Sequence, residues 1–147
     1  MKKIIISLSL LSLLFSCKPS GLAILNKNDQ AIPPTVKENI FVLTQKATDK
    51  KYGYSESLPV NLGFTHSIHQ VKPEQYLKAL SGPNHEEITF KFIESCCPFI
   101  TKKGDMGTGL LDKYEISWVG LKKPLYIYIN IYEKGDVLIP YNLNAKK

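Results

Sequence analysis

Two adjacent thiols, Cys96 and Cys97, are the sharpest chemical feature of this chain. Neighbouring cysteines can join only through an eight-membered ring that distorts the peptide between them, and strained disulfides are the labile, regulatory ones. Three readings fit the pair. It forms a redox-sensitive or loop-locking disulfide; its thiols point to opposite sides of a strand end; or it takes a soft metal, although Cys-Cys lacks the spacing of zinc motifs. His66 and His69 lie three apart and would share a face if helical. The stretch from Thr65 to Val71 reads as loop, however, with no carboxylate near, and His85 stands further on. No metal site and no cofactor are expected.

The loop Gly104-Asp105-Met106-Gly107-Thr108-Gly109 lacks a Lys-Ser/Thr ending and opens no helix, so it is not a phosphate loop. Gly104, Gly107 and Gly109 more simply supply turns with positive φ. Asp105 and Asp112 flank that loop as turn-formers, since acids beside glycine turns usually are, and no catalytic residue is assigned. Tyr126, Tyr128 and Tyr132 share one side of an alternating run. With Tyr114 and Trp118 on the preceding strand they are expected to form an aromatic sheet face. Such a face stacks on sugars, peptides or partner proteins, or else lies beneath a helix or tether.

The elements that must position these residues follow from periodicity. Ile40 to Thr44 and Val60 to Phe64 read as short strands, rich in β-branched residues or bounded by Pro59 and Gly63. Pro73 opens the one clear helix, where a fixed φ and a missing N–H cost nothing. Tyr76, Leu77 and Leu80 give it an apolar face, and Gly82-Pro83-Asn84 ends it. Ile88 to Ile93 alternates as a half-buried strand. Leu110 to Val119 and Leu125 to Tyr132 flank the turn Gly120-Leu121-Lys122-Lys123-Pro124 and make an antiparallel hairpin. The sum is an α+β fold, an antiparallel sheet of about four or five strands with one short helix.

The chain has 147 residues, and its start reads as an export signal. Lys2 and Lys3 precede an apolar run from Ile4 to Phe15 that is too short to span a membrane, which takes about 20 residues. Leu14-Phe15-Ser16-Cys17 resembles the bacterial lipobox, which implies cleavage before Cys17 and lipidation of its thiol. Acyl chains on one cysteine bury enough CH₂ groups, at about 0.8 kcal/mol each, for stable anchoring. Lys18 follows in place of the aspartate that marks inner-membrane retention, so an outer-membrane lipoprotein facing the periplasm is expected. The division is then 1–16 signal peptide, 17–36 tether, 37–141 single domain and 142–147 C-terminal tail. The 19 basic residues are all lysine, scattered along the chain against 13 acids. Without the bidentate guanidinium of arginine, nucleic acid is not an expected partner.

Several blocks together resemble a family of small lipoproteins from Bacteroidetes and Flavobacteria. They are Ala47-Thr48-Asp49-Lys50-Lys51-Tyr52-Gly53-Tyr54, Leu58-Pro59-Val60-Asn61-Leu62-Gly63, the segment from Tyr76 to Asn84, Ser95-Cys96-Cys97-Pro98-Phe99, Gly107-Thr108-Gly109-Leu110-Leu111-Asp112 and the segment from Pro124 to Tyr132. The resemblance covers roughly residues 46–140. Many relatives carry the label 2-dehydro-3-deoxyphosphooctonate aldolase, but enzymes of that activity are (β/α)₈ barrels of about 250 residues. A chain of this length cannot build eight βα units, and it lacks the arginines a phosphorylated substrate invites. The resemblance therefore implies membership and location without a mechanism. The function expected is a non-catalytic, lipid-anchored module that binds an envelope protein or glycan. The alternative is a small thiol or redox protein using Cys96 and Cys97.

Overall fold

The computed structural model describes residues 21–64 and 72–147. Cys17, His66 and His69 lie outside the described residues. The fold is α+β, and its centre is a four-stranded sheet in the order β3 (Val60–Asn61), β7 (Leu125–Asn130), β6 (Thr108–Ser117), β5 (Thr89–Ile100). The β6–β7 pair is antiparallel, as the hairpin around Gly120 requires, and so is the β5–β6 pair. The β3–β7 pair is parallel, so the sheet is mixed where a purely antiparallel one was expected. Two strand pairs flank it, β1 (Val36–Lys37) with β2 (Ile40–Phe41), and β4 (Leu80–Ser81) with β8 (Asn144–Ala145).

The inner face of the sheet carries the main core. Tyr114, Ile116, Ile127 and Ile129 pack there against Val60, Phe41, Leu43, Tyr76, Leu77, Leu80, Ile139 and Leu143, all buried. Helix α1 (Pro73–Lys78) supplies Tyr76 and Leu77. It has six residues, too few to be stable without packing. Its start is fastened by Gln75, whose side chain accepts the Lys72 N–H at 2.9 Å and donates to Asn39 Oδ1 at 2.7 Å. Tyr76 reaches through the core to donate to the Leu138 carbonyl at 2.9 Å.

Several boundaries differ from the sequence reading. The helix ends at Lys78 with Ala79 as C-cap, before Gly82, because Leu80 and Ser81 leave it to pair with β8. That pairing also draws the C-terminus into the fold. Residues 142–147 read as a tail, yet Leu143 is fully buried and Asn144–Ala145 form a strand. At the other end, the segment from Gly21 lies against the sheet, with Ile24 buried and Leu22 bridging Phe99. The strand expected to reach Tyr132 stops at Asn130. There the Asn130 side chain accepts the N–H groups of Tyr132 at 2.9 Å and Glu133 at 3.2 Å and turns the chain.

Candidate functional site: the outer face of the sheet and its edge strand

Strand parity and register decide what the outer face carries. In β6 and β7, Tyr114 stands opposite Ile127, Glu115 opposite Tyr126 and Lys113 opposite Tyr128. Opposite residues in an antiparallel pair share a face. Tyr114 therefore belongs to the inner core, where burial, aided by the Glu74 and Asp112 charges, pushes its hydroxyl up to about 12. Trp118 packs, half-buried, on the same core. The expected single row of Tyr114, Trp118, Tyr126, Tyr128 and Tyr132 is thus divided between the two faces. A one-residue difference in hairpin register would have reversed the assignment.

Tyr126 and Tyr128 remain on the outer face, Tyr126 at 42% exposure. Lys113 Nζ lies 4.7 Å from the Tyr126 ring centre and 5.9 Å from that of Tyr128, within the range where an ammonium is attracted to a ring. The Tyr126 hydroxyl donates to Glu115 at 3.3 Å. Beyond β6 the pattern continues onto β5, with Lys91 paired to Glu115 at 3.2 Å and Glu94 to Lys113 at 3.7 Å. Two ordered rows cross the face: Tyr126, Glu115, Lys91 and Tyr128, Lys113, Glu94. A shallow groove opens beside Tyr128, lined by Leu22, Lys51, Tyr54, Ser55 and Ser57.

Strand β5 is twelve residues long, twice what its alternation suggested, because two bulges interrupt the pattern. Ile93 is the extra residue of the first, between Phe92 opposite Tyr114 and Glu94 opposite Lys113. At the second, Cys97 and Pro98 stand against Leu110 alone. A bulge tolerates a proline because its missing N–H has no ladder partner to lose. Here Cys96 and Cys97 form a disulfide, and Cys97 takes a left-handed φ of 59°.

The disulfide borders a second, smaller core on the outer face. Ile24, Phe99 and Leu111 are its buried centre, with Leu22, Cys97, Tyr128 and Tyr132 packed around it. Tyr132 meets Phe99 edge to face at 5.9 Å. The glycine loop is fitted to this core. A Cβ on Gly109 would lie 2.7 Å from Phe99 Cζ, so the ring position requires glycine there. Of the three glycines expected to supply positive φ only Gly107 does, at 79°, closing a 3₁₀ turn over Asp105–Gly107; Gly104 before it is extended at φ −102°, and Gly109 is required by the Phe99 ring instead. Of the two flanking acids, Asp112 accepts the Ser95 hydroxyl at 2.7 Å, and Asp105 is exposed in the turn. His85 is exposed at a left-handed turn position. Among the described residues no cluster of three His, Cys, Asp or Glu side chains could hold a metal ion.

Two buried polar networks went unread in the sequence. Asn61 and Asn130 are fully buried register partners of β3 and β7, and Asn61 also donates to the Asn26 carbonyl at 3.0 Å. Glu133 accepts the Thr101 hydroxyl at 2.6 Å and the Lys103 ammonium at 2.9 Å. Lys103 further reaches Asp29 at 3.2 Å, and its ammonium is held above the usual lysine range, chiefly by the Glu133 hydrogen bond. Single-residue patterns carry no signal for such networks, since the partners are up to 74 residues apart. No protein-family model, curated protein or solved structure matches this chain.

Proposed function

We propose that this chain is an envelope lipoprotein, anchored through acylated Cys17 to the outer membrane and facing the periplasm. In this reading its sheet domain is a non-catalytic module that binds an envelope protein or glycan. The leader, the lipobox-like Leu14-Phe15-Ser16-Cys17 and the resemblance to small Bacteroidetes lipoproteins support the anchor. The observation that carries the binding role is the Tyr126–Tyr128 pair. Tyr126 is exposed and Tyr128 half-buried on the outer sheet face, both within reach of Lys113 and bordered by the groove at Tyr54 and Ser57. Rings held in place by neighbours lose little freedom on binding and offer both stacking area and a polar hydroxyl.

The test is co-purification from native envelopes after mild cross-linking, with Cys17→Ser as the unanchored control. A partner captured by the native chain and lost in Y126A/Y128A, while the domain stays folded, is the expected result. Capture that is indifferent to both tyrosines would remove the reading.

A second reading is favoured by one specific observation, the bond between Cys96 and Cys97. A reducing dithiol of the envelope would give two electrons and two protons to this disulfide and become a disulfide itself. Mass analysis decides it: treatment with a dithiol must add two hydrogens reversibly, and a mass unchanged under reducing conditions that spare the fold would exclude it.

A further inference from the structure

The outer edge of β5 is open: among the described residues no strand pairs with it from Thr89 to Pro98. An open edge presents unpaired N–H and C=O groups and is a template for another strand. This one also shows Phe92 at 52% and Ile93 at 38% exposure. Lys91 and Glu94 flank that apolar pair.

The bulge at Ile93 gives the edge a particular symmetry. On a regular strand Lys91 and Glu94, three apart, would face opposite sides. Here Lys91 is opposite Glu115 and Glu94 opposite Lys113, two apart on β6, so both lie on the outer face. The same holds outward from the centre. Phe90 and Ser95 oppose Ile116 and Asp112 on the inner face, and Thr89 and Cys96 oppose Ser117 and Leu111 on the outer face. The pairs Thr89 and Cys96, Phe90 and Ser95, and Lys91 and Glu94 therefore match in the side they face, about a midpoint between Phe92 and the bulged Ile93.

We infer that a second copy of this chain adds to this edge, β5 against β5 and antiparallel, about a two-fold axis between Phe92 and Ile93. In that register Lys91 stands opposite Glu94 of the partner, twice per dimer, and Phe92 stands opposite the partner's bulged position. Each outer-face row then continues across the seam with alternating charge: Tyr126, Glu115, Lys91, then Glu94, Lys113 and Tyr128 of the second copy. A two-fold contact must be complementary to itself, and this strand is so in facing and in charge. The β5 bulge, which on most edges discourages pairing, here supplies the parity that a two-fold pairing of Lys91 with Glu94 demands. The result is one eight-stranded sheet presenting both tyrosine pairs on one side. The inference stands on the edge alone and does not depend on what those tyrosines bind.

Charge reversal tests it. K91E places like charges opposite each other at both symmetric contacts, and so does E94K. Each variant should weaken dimerisation by roughly tenfold, from opposite- and like-charge cross-strand effects of about 0.2–1 kcal/mol per pair. An equimolar mixture of K91E and E94K restores both contacts in a mixed dimer and should recover the native affinity. The readout is sedimentation velocity of the full chain in density-matched detergent over a range of protein concentrations, with circular dichroism confirming that each variant is folded. A native chain that stays monomeric throughout would overturn the inference. So would single variants that dimerise as the native chain does, or a mixture no tighter than either variant alone.

Discussion

The Asn130 side-chain amide donates to Asn61 Oδ1 at 3.0 Å, joining two fully buried residues that are register partners at the end of the parallel β3–β7 pair. Asn61 passes the link on to Asn26, whose own amide donates to the Pro59 carbonyl at 2.8 Å. One polar chain thus fastens the N-terminal segment to the strand that departs from antiparallel order. Every member is satisfied, which is the condition for a buried network to stabilise rather than cost.

Truncating that network should be expensive. Asn130→Ala leaves the Asn61 acceptor and two backbone N–H groups without their partner, an expected loss of about 3 kcal/mol. Asn61→Ala should cost a similar amount. The double variant should lose clearly less than the sum, because the two side chains act on each other. Urea unfolding of the four proteins measures this, and additive losses would show that the pair is not coupled.

Gly109 and Gly107 should fail differently on substitution. Gly109→Ala drives a methyl into the Phe99 ring and is expected to cost about 1–3 kcal/mol. Gly107→Ala meets no atom within 4 Å and should lose only the conformational term of a left-handed residue, about 1 kcal/mol. Adding Phe99→Leu, which removes the ring atoms in the way, should recover part of the first loss and none of the second. Thermal melts of the set check the distinction; equal behaviour at both positions would contradict it.

Glu133 should set part of the acid limb of stability. Burial pushes its carboxyl up, but the hydrogen bonds from Thr101 and Lys103 outweigh burial and hold it below the ordinary value of 4.5. A carboxyl depressed in the folded state binds its proton more weakly there than in the unfolded chain. Its contribution is therefore full above about pH 4.5 and is lost as pH falls through the folded value. Glu133→Gln should lower stability at neutral pH and flatten the fall below that point. Denaturant midpoints measured from neutral to acid pH test it, and a parallel pair of curves would rule out the linkage.

How much of this was legible depended on the kind of regularity each residue obeyed. Leu125, Ile127 and Ile129 alternate without interruption, and the strand, its buried face and the hairpin could be read from them. Pro73 marked the helix start for a local reason, its fixed φ. The alternation of β5 ends well before the strand does because Ile93 and Cys97-Pro98 break the period of two, and a bulge looks like a strand end when no partner strand is in view. Tyr114 lies on the inner face, opposite to the expected one, for a non-local reason. Parity within β6 is visible in the sequence, but its alignment with β7 depends on the geometry of the turn between them. The parallel β3–β7 pair and the Asn61–Asn130 contact depend on contacts 69 residues apart, which no local pattern encodes.

The disulfide should control the docking of the N-terminal segment. Cys97 is held in a left-handed conformation by its bond to Cys96 and packs with Leu22 around Phe99, the residue Leu22 bridges. Opening the bond frees Cys97 to leave a conformation unfavourable for any residue with a Cβ. The bulge that aims Phe99 into the outer-face core then loses its constraint, while Ile24 and Leu111 keep only part of their packing. Reduction should therefore raise amide exchange in Leu22–Leu25 and around Phe99. The hairpin from Ile116 to Ile129, buried in the other core, should change little. Hydrogen exchange with mass detection, on oxidised and reduced chain, reads both regions at once. Cys96→Ser/Cys97→Ser should mimic the reduced chain. Equal protection of Leu22–Leu25 in all three forms would mean that the second core holds the segment without help from the disulfide.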